Sequence, residues 1–295
     1  MKRDPLGIFD SGVGGLSVLR AVQQSYPDED LIYLADQAHV PYGPRSLEEV
    51  RAFAEGITRY LLDQDAKLIV VACNTASAAA LHYLRQTFPE VPFVGMEPAV
   101  KPAAEHTKSG VVGVLATTAT FQGALYASVI ERFANGVTVL QDACPGLVNE
   151  IEAGNLDSRQ TQAIIEAALN PMLAQGIDTV VLGCTHYPFV IPTIQRIAGP
   201  RVRVIDPAPA IARQVGRLLD QHSLHAPEGQ SGRVLFLTSG ARERFQSLIL
   251  QLLGTSVRAE SVQWTAGRPP SSAGALTAKR RPSSSKIRGI DPDLQ

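Results

Sequence analysis

Apolar residues arrive in this chain in two rhythms. Short continuous runs rich in β-branched residues alternate with longer stretches whose apolar positions recur every three or four residues. Strands are predicted at 6–9, 31–35, 69–72 and 91–96. Between them, helices are predicted over 16–22, over 47–62 and along an alanine-rich stretch capped by Asn74 or Thr75. The pattern then restarts, with strands at 110–116, 137–140, 180–183 and 202–205 and a helix over 161–175. A helix at 210–219, a strand at 234–237 and a helix at 241–253 follow. Such alternation implies parallel sheets with right-handed crossovers. The order of events in 1–98 resembles that in 110–207, which suggests two related α/β halves.

Two of the runs look like copies. Ile69-Val70-Val71-Ala72-Cys73-Asn74-Thr75 ends on a cysteine and a hydroxyl-bearing turn, as does Val180-Val181-Leu182-Gly183-Cys184-Thr185-His186. Each thiol is expected in a strand-to-helix turn at the carboxyl end of a buried strand, where open α/β sheets bind ligands. A free cysteine usually behaves as a small hydrophobe. The repeated setting argues here for a working pair.

Composition narrows the classes. The 45% hydrophobic and 19% charged residues are those of an ordinary globular protein. The three cysteines (73, 144, 184) form no C-x-x-C pair, which argues against a disulfide framework and fits a reducing, cytoplasmic setting. No run approaches a membrane span and the amino terminus offers no signal peptide. The net charge of −1 hides an asymmetry. Residues 265–295 hold six Lys and Arg against two Asp and Glu, leaving the remainder at −5. Nucleic acid is therefore not an expected partner of the folded part, and the Pro- and Ser-rich basic tail is expected to be disordered.

The chemistry then falls on few residues. Asp10-Ser11-Gly12-Val13-Gly14-Gly15 fails the dinucleotide fingerprint, because Ser17 stands where the third glycine belongs. What remains is a glycine-rich turn suited to a small anion such as a carboxylate, or simply a tight turn capped by Asp10. Cys73 and Cys184 are open to roles as nucleophiles, metal ligands, a redox pair or acid and base at carbon. Zinc would need further ligands at spacings the chain lacks. A thiol at a helix start has its pKa lowered toward neutrality, the poise that proton transfer at carbon requires. Asp10, Glu152 and His186 are the ionisable groups best placed to serve the thiols, whereas Cys144 reads as structural. No lysine sits where a pyridoxal phosphate Schiff base would need it.

In order along the chain, Asp10-Ser11-Gly12-Val13-Gly14-Gly15-Leu16-Ser17-Val18, Asp36, Pro41-Tyr42-Gly43, Cys73-Asn74-Thr75-Ala76-Ser77, Glu97-Pro98-Ala99, Gly183-Cys184-Thr185-His186-Tyr187-Pro188 and Ile205-Asp206-Pro207 resemble the glutamate racemase family. The resemblance runs from about Gly7 to about Leu253. It implies two pseudo-symmetric parallel-sheet α/β domains with the active site in the cleft between them: 1–98 with 208–264, and 99–207, the 265–295 tail lying outside. It implies interconversion of L- and D-glutamate without a cofactor, supplying D-glutamate for peptidoglycan, by a protein that is usually a homodimer. Cys73 would deprotonate D-glutamate with support from Asp10. Cys184 would deprotonate L-glutamate with support from Glu152 and His186. Substrate contacts would come from Asp10, Ser11, Pro41, Tyr42, Gly43, Cys73, Asn74, Thr75, Thr117, Thr118, Thr120, Cys184, Thr185 and His186.

Three competing readings stay open. A racemase of aspartate or another amino acid is disfavoured by His186, where related aspartate racemases tend to carry glutamate, and by the Asp10-Ser11-Gly12 start. A non-catalytic gyrase-binding protein and a thiol redox protein are the others.

Overall fold

The computed structural model describes residues 4–265 apart from 228 and 230, together with 268–272. In chain order the first elements are β1 (Leu6–Asp10), α1 (Leu16–Ser25), β2 (Leu31–Ala35), α2 (Leu47–Asp63), β3 (Leu68–Val71), α3 (Asn74–Thr87), β4 (Phe93–Val94) and α4 (Val100–His106). Next come β5 (Val111–Ala116), α5 (Thr118–Gln122), α6 (Ala124–Phe133), β6 (Thr138–Asp142), α7 (Leu147–Glu152), α8 (Arg159–Ala174), β7 (Thr179–Gly183), α9 (Ile191–Ala198) and β8 (Arg203–Ile205). The chain closes with α10 (Ala208–His222), β9 (Val234–Thr238), α11 (Arg242–Leu253), β10 (Ala259–Thr265) and β11 (Arg268–Ser272).

These strands make two sheets, ordered β11-β10-β9-β2-β1-β3-β4 and β6-β5-β7-β8. All ladders are parallel except the last, where β11 runs antiparallel to β10. β1, β2, β3 and β7 are buried along their whole length, because helices cover both faces and leave no side for polar alternation. The first sheet thus takes its strands from both ends of the chain and the second from the middle, giving two parallel-sheet α/β domains. An apolar cluster runs from one to the other, through Leu16 and Val215 to Leu147, Ile151 and Tyr187.

Local chemistry sets the element ends. Ser46 and Glu49 form a reciprocal capping box at the start of α2. The cap of α3 is neither Asn74 nor Thr75 but Cys73 itself, whose Sγ accepts from Ala76 N at 3.4 Å. Cys184 departs from its copy, being followed by a 3-10 turn (Tyr187–Val190) before α9 begins. The expected disorder of 265–295 is corrected in its first part. Arg268–Ser272 pairs with β10 and extends the sheet, because backbone pairing at a sheet edge needs no apolar side chains. The expectation for 273–295 lies outside the described residues.

Candidate active site

Both cysteines reach one cavity of about 250 Å³, entered between the domains. The first domain supplies Ser11, Pro41, Tyr42, Gly43, Cys73, Asn74 and Thr75 to its wall, and the second supplies Thr117, Thr118, Cys184, Thr185 and His186. Each thiol is 5% exposed. Fourteen residues were expected to touch a ligand, and two of them do not reach the wall. Asp10 lies beneath it, fully buried, with its Oδ2 accepting from Gly15 N at 2.8 Å. Thr120 stands behind Thr117, the two hydroxyls 3.0 Å apart.

The wall also has members that sequence reasoning passed over. Ala143, Cys144, Pro145 and Gly146, on the approach to α7, and Val148 and Asn149, in its first turn, close the side next to Cys184. Cys144, read as structural, lies on this wall with a left-handed φ of 45°. No repeated strand-and-turn context marks it in the sequence.

The glycine-rich turn does receive a carboxylate, and it is the protein's own. Val13 N donates to Glu152 Oε1 at 2.6 Å, across the domain boundary. None of Gly12, Gly14 and Gly15 has a positive φ, so close approach rather than conformation demands glycine here. A Cβ on Gly12 would fall on Glu152 Oε1, and one on Gly14 would meet the His186 ring and, at 2.6 Å, Thr185 Oγ1. Ser17 Oγ adds a bond to Thr185 O at 3.1 Å, and Thr75 and Thr117 join hydroxyls across the cleft at 2.8 Å.

Each thiol has its own support. On one side, Cys73 sits over Asp10, with which it shares a hydrogen bond. Burial, then the Asp10 charge, pushes the Cys73 thiol well above its ordinary 9.0, outweighing the bond from Ala76 N. The lowering expected from a helix start is thus overturned for Cys73, because desolvation of the thiolate is the larger effect. Burial likewise raises Asp10. On the other side, His186 Nε2 meets Glu152 Oε1 at 2.7 Å and His186 Nδ1 faces Cys184 Sγ at 3.8 Å. Burial opposes a charge on His186, but its bonds to Cys184 and Glu152 win and raise it well above 6.5. Burial also opposes ionisation of Glu152, and the His186 bond and charge, with donors Val13 and Gln37, hold it below 4.5. An imidazolium carries N–H at both ring nitrogens, so it binds Glu152 and presents a proton to Cys184 together.

The sign of the resulting pH dependence follows from linkage. A depressed carboxyl contributes stability that is full above 4.5 and lost as pH falls through its folded value; a raised imidazole contributes stability that is full below 6.5 and lost as pH rises through its folded value. Glu152→Gln therefore costs most melting temperature between about pH 4.5 and 6.5, the loss shrinking on either side. A deficit constant from pH 3 to 10, on the order of that span, would show that the pair is not charged as described.

Tyr42 owes its place on the wall to Asp36, fully buried at the end of β2. Asp36 Oδ2 accepts from Tyr42 at 2.7 Å and lies 2.9 Å from His39 Nδ1, while Oδ1 accepts from Ser239 and Trp264, both at 2.7 Å. Asn74 is 3% exposed, and neither atom of its side-chain amide has a partner. An unsatisfied buried amide on a cavity wall points to a ligand group that completes it. Among the described residues no cluster of three His, Cys, Asp or Glu is arranged to hold a metal.

Comparison with known proteins bears on the same site. The model of the Asp/Glu/hydantoin racemase family matches residues 16–215. A glutamate racemase of Roseiflexus sp. (strain RS-1) is 52% identical over 249 residues, 84% of this chain and 92% of that relative. Among solved structures, a glutamate racemase isoform from Bacillus anthracis is similar at a TM-score of 0.80 and 32% identity, over 89% of this chain and 98% of that one. The Escherichia coli glutamate racemase in complex with L-glutamate and the activator UDP-MurNAc-ala gives 0.77 and 31%, over 88% and 98%.

Proposed function

The chain belongs to the Asp/Glu/hydantoin racemase family, and within it to the glutamate racemases, and on that basis we propose that it interconverts L- and D-glutamate without a cofactor, Cys73 and Cys184 serving as the two bases. The observation that carries the reading is that two thiols from opposite domains face one cavity, each backed by different ionisable groups.

Inverting a carbon centre takes a proton from one face and returns one to the other. Two fixed groups in opposite protonation states do this without moving the substrate. Cys184, facing the His186 imidazolium, is the thiolate that removes the proton of L-glutamate. Cys73, held as a thiol by burial and Asp10, delivers its proton to the other face of the carbanion. The C–H bond breaks first, toward Cys184, and leaves the carbanion; the S–H bond of Cys73 then breaks toward carbon, so one turnover leaves Cys184 the thiol and Cys73 the thiolate, ready for D-glutamate. The Asn74 amide and the hydroxyls of Ser11, Thr75, Thr117, Thr118 and Thr185 supply donors and acceptors for the substrate's carboxylates and ammonium group. Burial of both sulfurs keeps competing water away from the carbanion.

The role that follows is supply of D-glutamate for peptidoglycan, by a cytoplasmic homodimer. The three free cysteines support a reducing compartment, and among the described residues no helix is long and apolar enough to cross a membrane. A chiral assay of the purified protein with each glutamate enantiomer in deuterated water tests the reading. Product of opposite configuration, deuterated at Cα, is expected from both enantiomers, and none from L-aspartate. Comparable turnover of aspartate would overturn the substrate assignment.

A further inference from the structure

We propose that Gln37 is a positioning residue for the Cys184 half of the reaction, a reading that rests on the two-thiol assignment above. Gln37 follows Asp36 at the carboxyl end of β2 and does not reach the cavity wall. Both ends of its amide are engaged. Oε1 accepts from Thr238 Oγ1 at 2.9 Å, and Nε2 donates to Glu152 Oε2 at 3.0 Å. Thr238 is fully buried at the end of β9, directly opposite Ala35 in the ladder with β2. Its hydroxyl accepts from Gly240 N at 3.0 Å, and its single hydrogen is directed at Gln37. That arrangement decides which way the amide points. The carbonyl must face Thr238, so the NH2 end must face Glu152.

The consequence lies in how Glu152 is held. Val13 N and His186 both engage Oε1, whereas Gln37 is the donor the structure gives Oε2. A carboxylate gripped through one oxygen turns about its last torsion; gripped through both, it is fixed. Fixing it fixes the 2.7 Å contact to His186 Nε2, and through the ring the reach of Nδ1 toward Cys184 Sγ. A line of side chains thus runs from the carboxyl ends of β2 and β9 in the first sheet, through Gln37 and Glu152, to the thiol on the second. Cys73 and Asp10 lie off this line.

The test uses that asymmetry. The two enantiomers have equal free energy, so any variant must keep kcat/KM equal in the two directions. A defect on one side cannot appear there. It appears in the isotope effect. Gln37→Leu keeps the bulk and removes both bonds; Thr238→Val removes the hydroxyl that orients the amide. Each is expected to lower kcat, Gln37→Leu by about tenfold, the loss of one hydrogen bond to a charged group. With L-glutamate deuterated at Cα, the isotope effect on kcat/KM should rise, because proton removal by Cys184 becomes the slower step. With deuterated D-glutamate it should fall, because removal by Cys73 then precedes the slow step. Equal shifts for both enantiomers, or unchanged isotope effects with lowered kcat, would overturn the positioning role and leave the two-thiol scheme standing. Failure of that scheme shows separately, as inversion surviving the loss of either cysteine.

Discussion

Cys73→Ala is expected to abolish formation of D-glutamate from L-glutamate, by at least about 10⁴-fold, the upper range for losing one positioned acid–base group. The residual should be at the limit because no neighbour can substitute. Asp10 lies beneath the wall and already accepts from Gly15 N at 2.8 Å, and Thr75 is committed to Thr117 at 2.8 Å. The variant should nonetheless fold. Removing Sγ costs α3 only a weak sulfur cap and leaves a site where the chain wants a small residue between Ala72 and Ala76. What the variant keeps is informative. Cys184 retains its imidazole and carboxylate, so it can still take the Cα proton of L-glutamate and return one from solvent to the same face. Deuterium entering L-glutamate with retention, and none entering D-glutamate, is the expected signature in deuterated water. Cys184→Ala should show the mirror image. Inversion persisting in either variant would mean that one base serves both faces, and the two-sided reading would end. Chiral chromatography with mass detection reads all four outcomes.

The strands were legible because their apolar runs are continuous; the predicted 31–35 and the observed β2 coincide. Helices of twelve or more residues were legible for a related reason, being several turns of period, whereas α6, of ten residues, went unread. α4 and α7 span seven and six residues, too short for a period to repeat, and both went unread. So did the sheet edge β10–β11. The thiol pair and its supporting Asp10, Glu152 and His186 could be named from residue type and repeated context. What those groups touch could not. Glu152 meets Val13 at a separation of 139 residues and Gln37 at 115, and no local pattern encodes a contact that far apart. Gln37 and the Asp36–Trp264 bond are of this kind. The cap of α3 misled for a chemical reason: sulfur is a poor acceptor, so the sequence points to Asn74 or Thr75, while the fold places the thiol there because the cavity lies beyond it.

Gly14→Ala is expected to lower kcat by about 10²-fold or more while costing only about 1–3 kcal/mol of stability. The added methyl would overlap His186 Nδ1 and lie 2.6 Å from Thr185 Oγ1. Neither can step aside freely. The imidazole is buried and held by Glu152 at 2.7 Å, and Glu152 is held in turn by Val13 at 2.6 Å. Thr185 is 1% exposed and its carbonyl is bound by Ser17. Two responses remain. The ring tilts away from Cys184, or the loop and the second domain part by about the width of a methyl group. Tilting leaves Cys184 without its proton partner; parting lets water reach the carbanion and moves the sulfurs from the opposed faces of Cα. Both spoil the transition state far more than the ground state, so the loss belongs in kcat rather than in folding. Gly12→Ala should act in the same sense through Glu152, whose Oε1 occupies the place of the new methyl. Steady-state kinetics beside thermal melts separates the two quantities. Wild-type kcat in Gly14→Ala would mean that His186 does not need its observed position, and with it the assignment of Glu152 and His186 to the Cys184 side would fall.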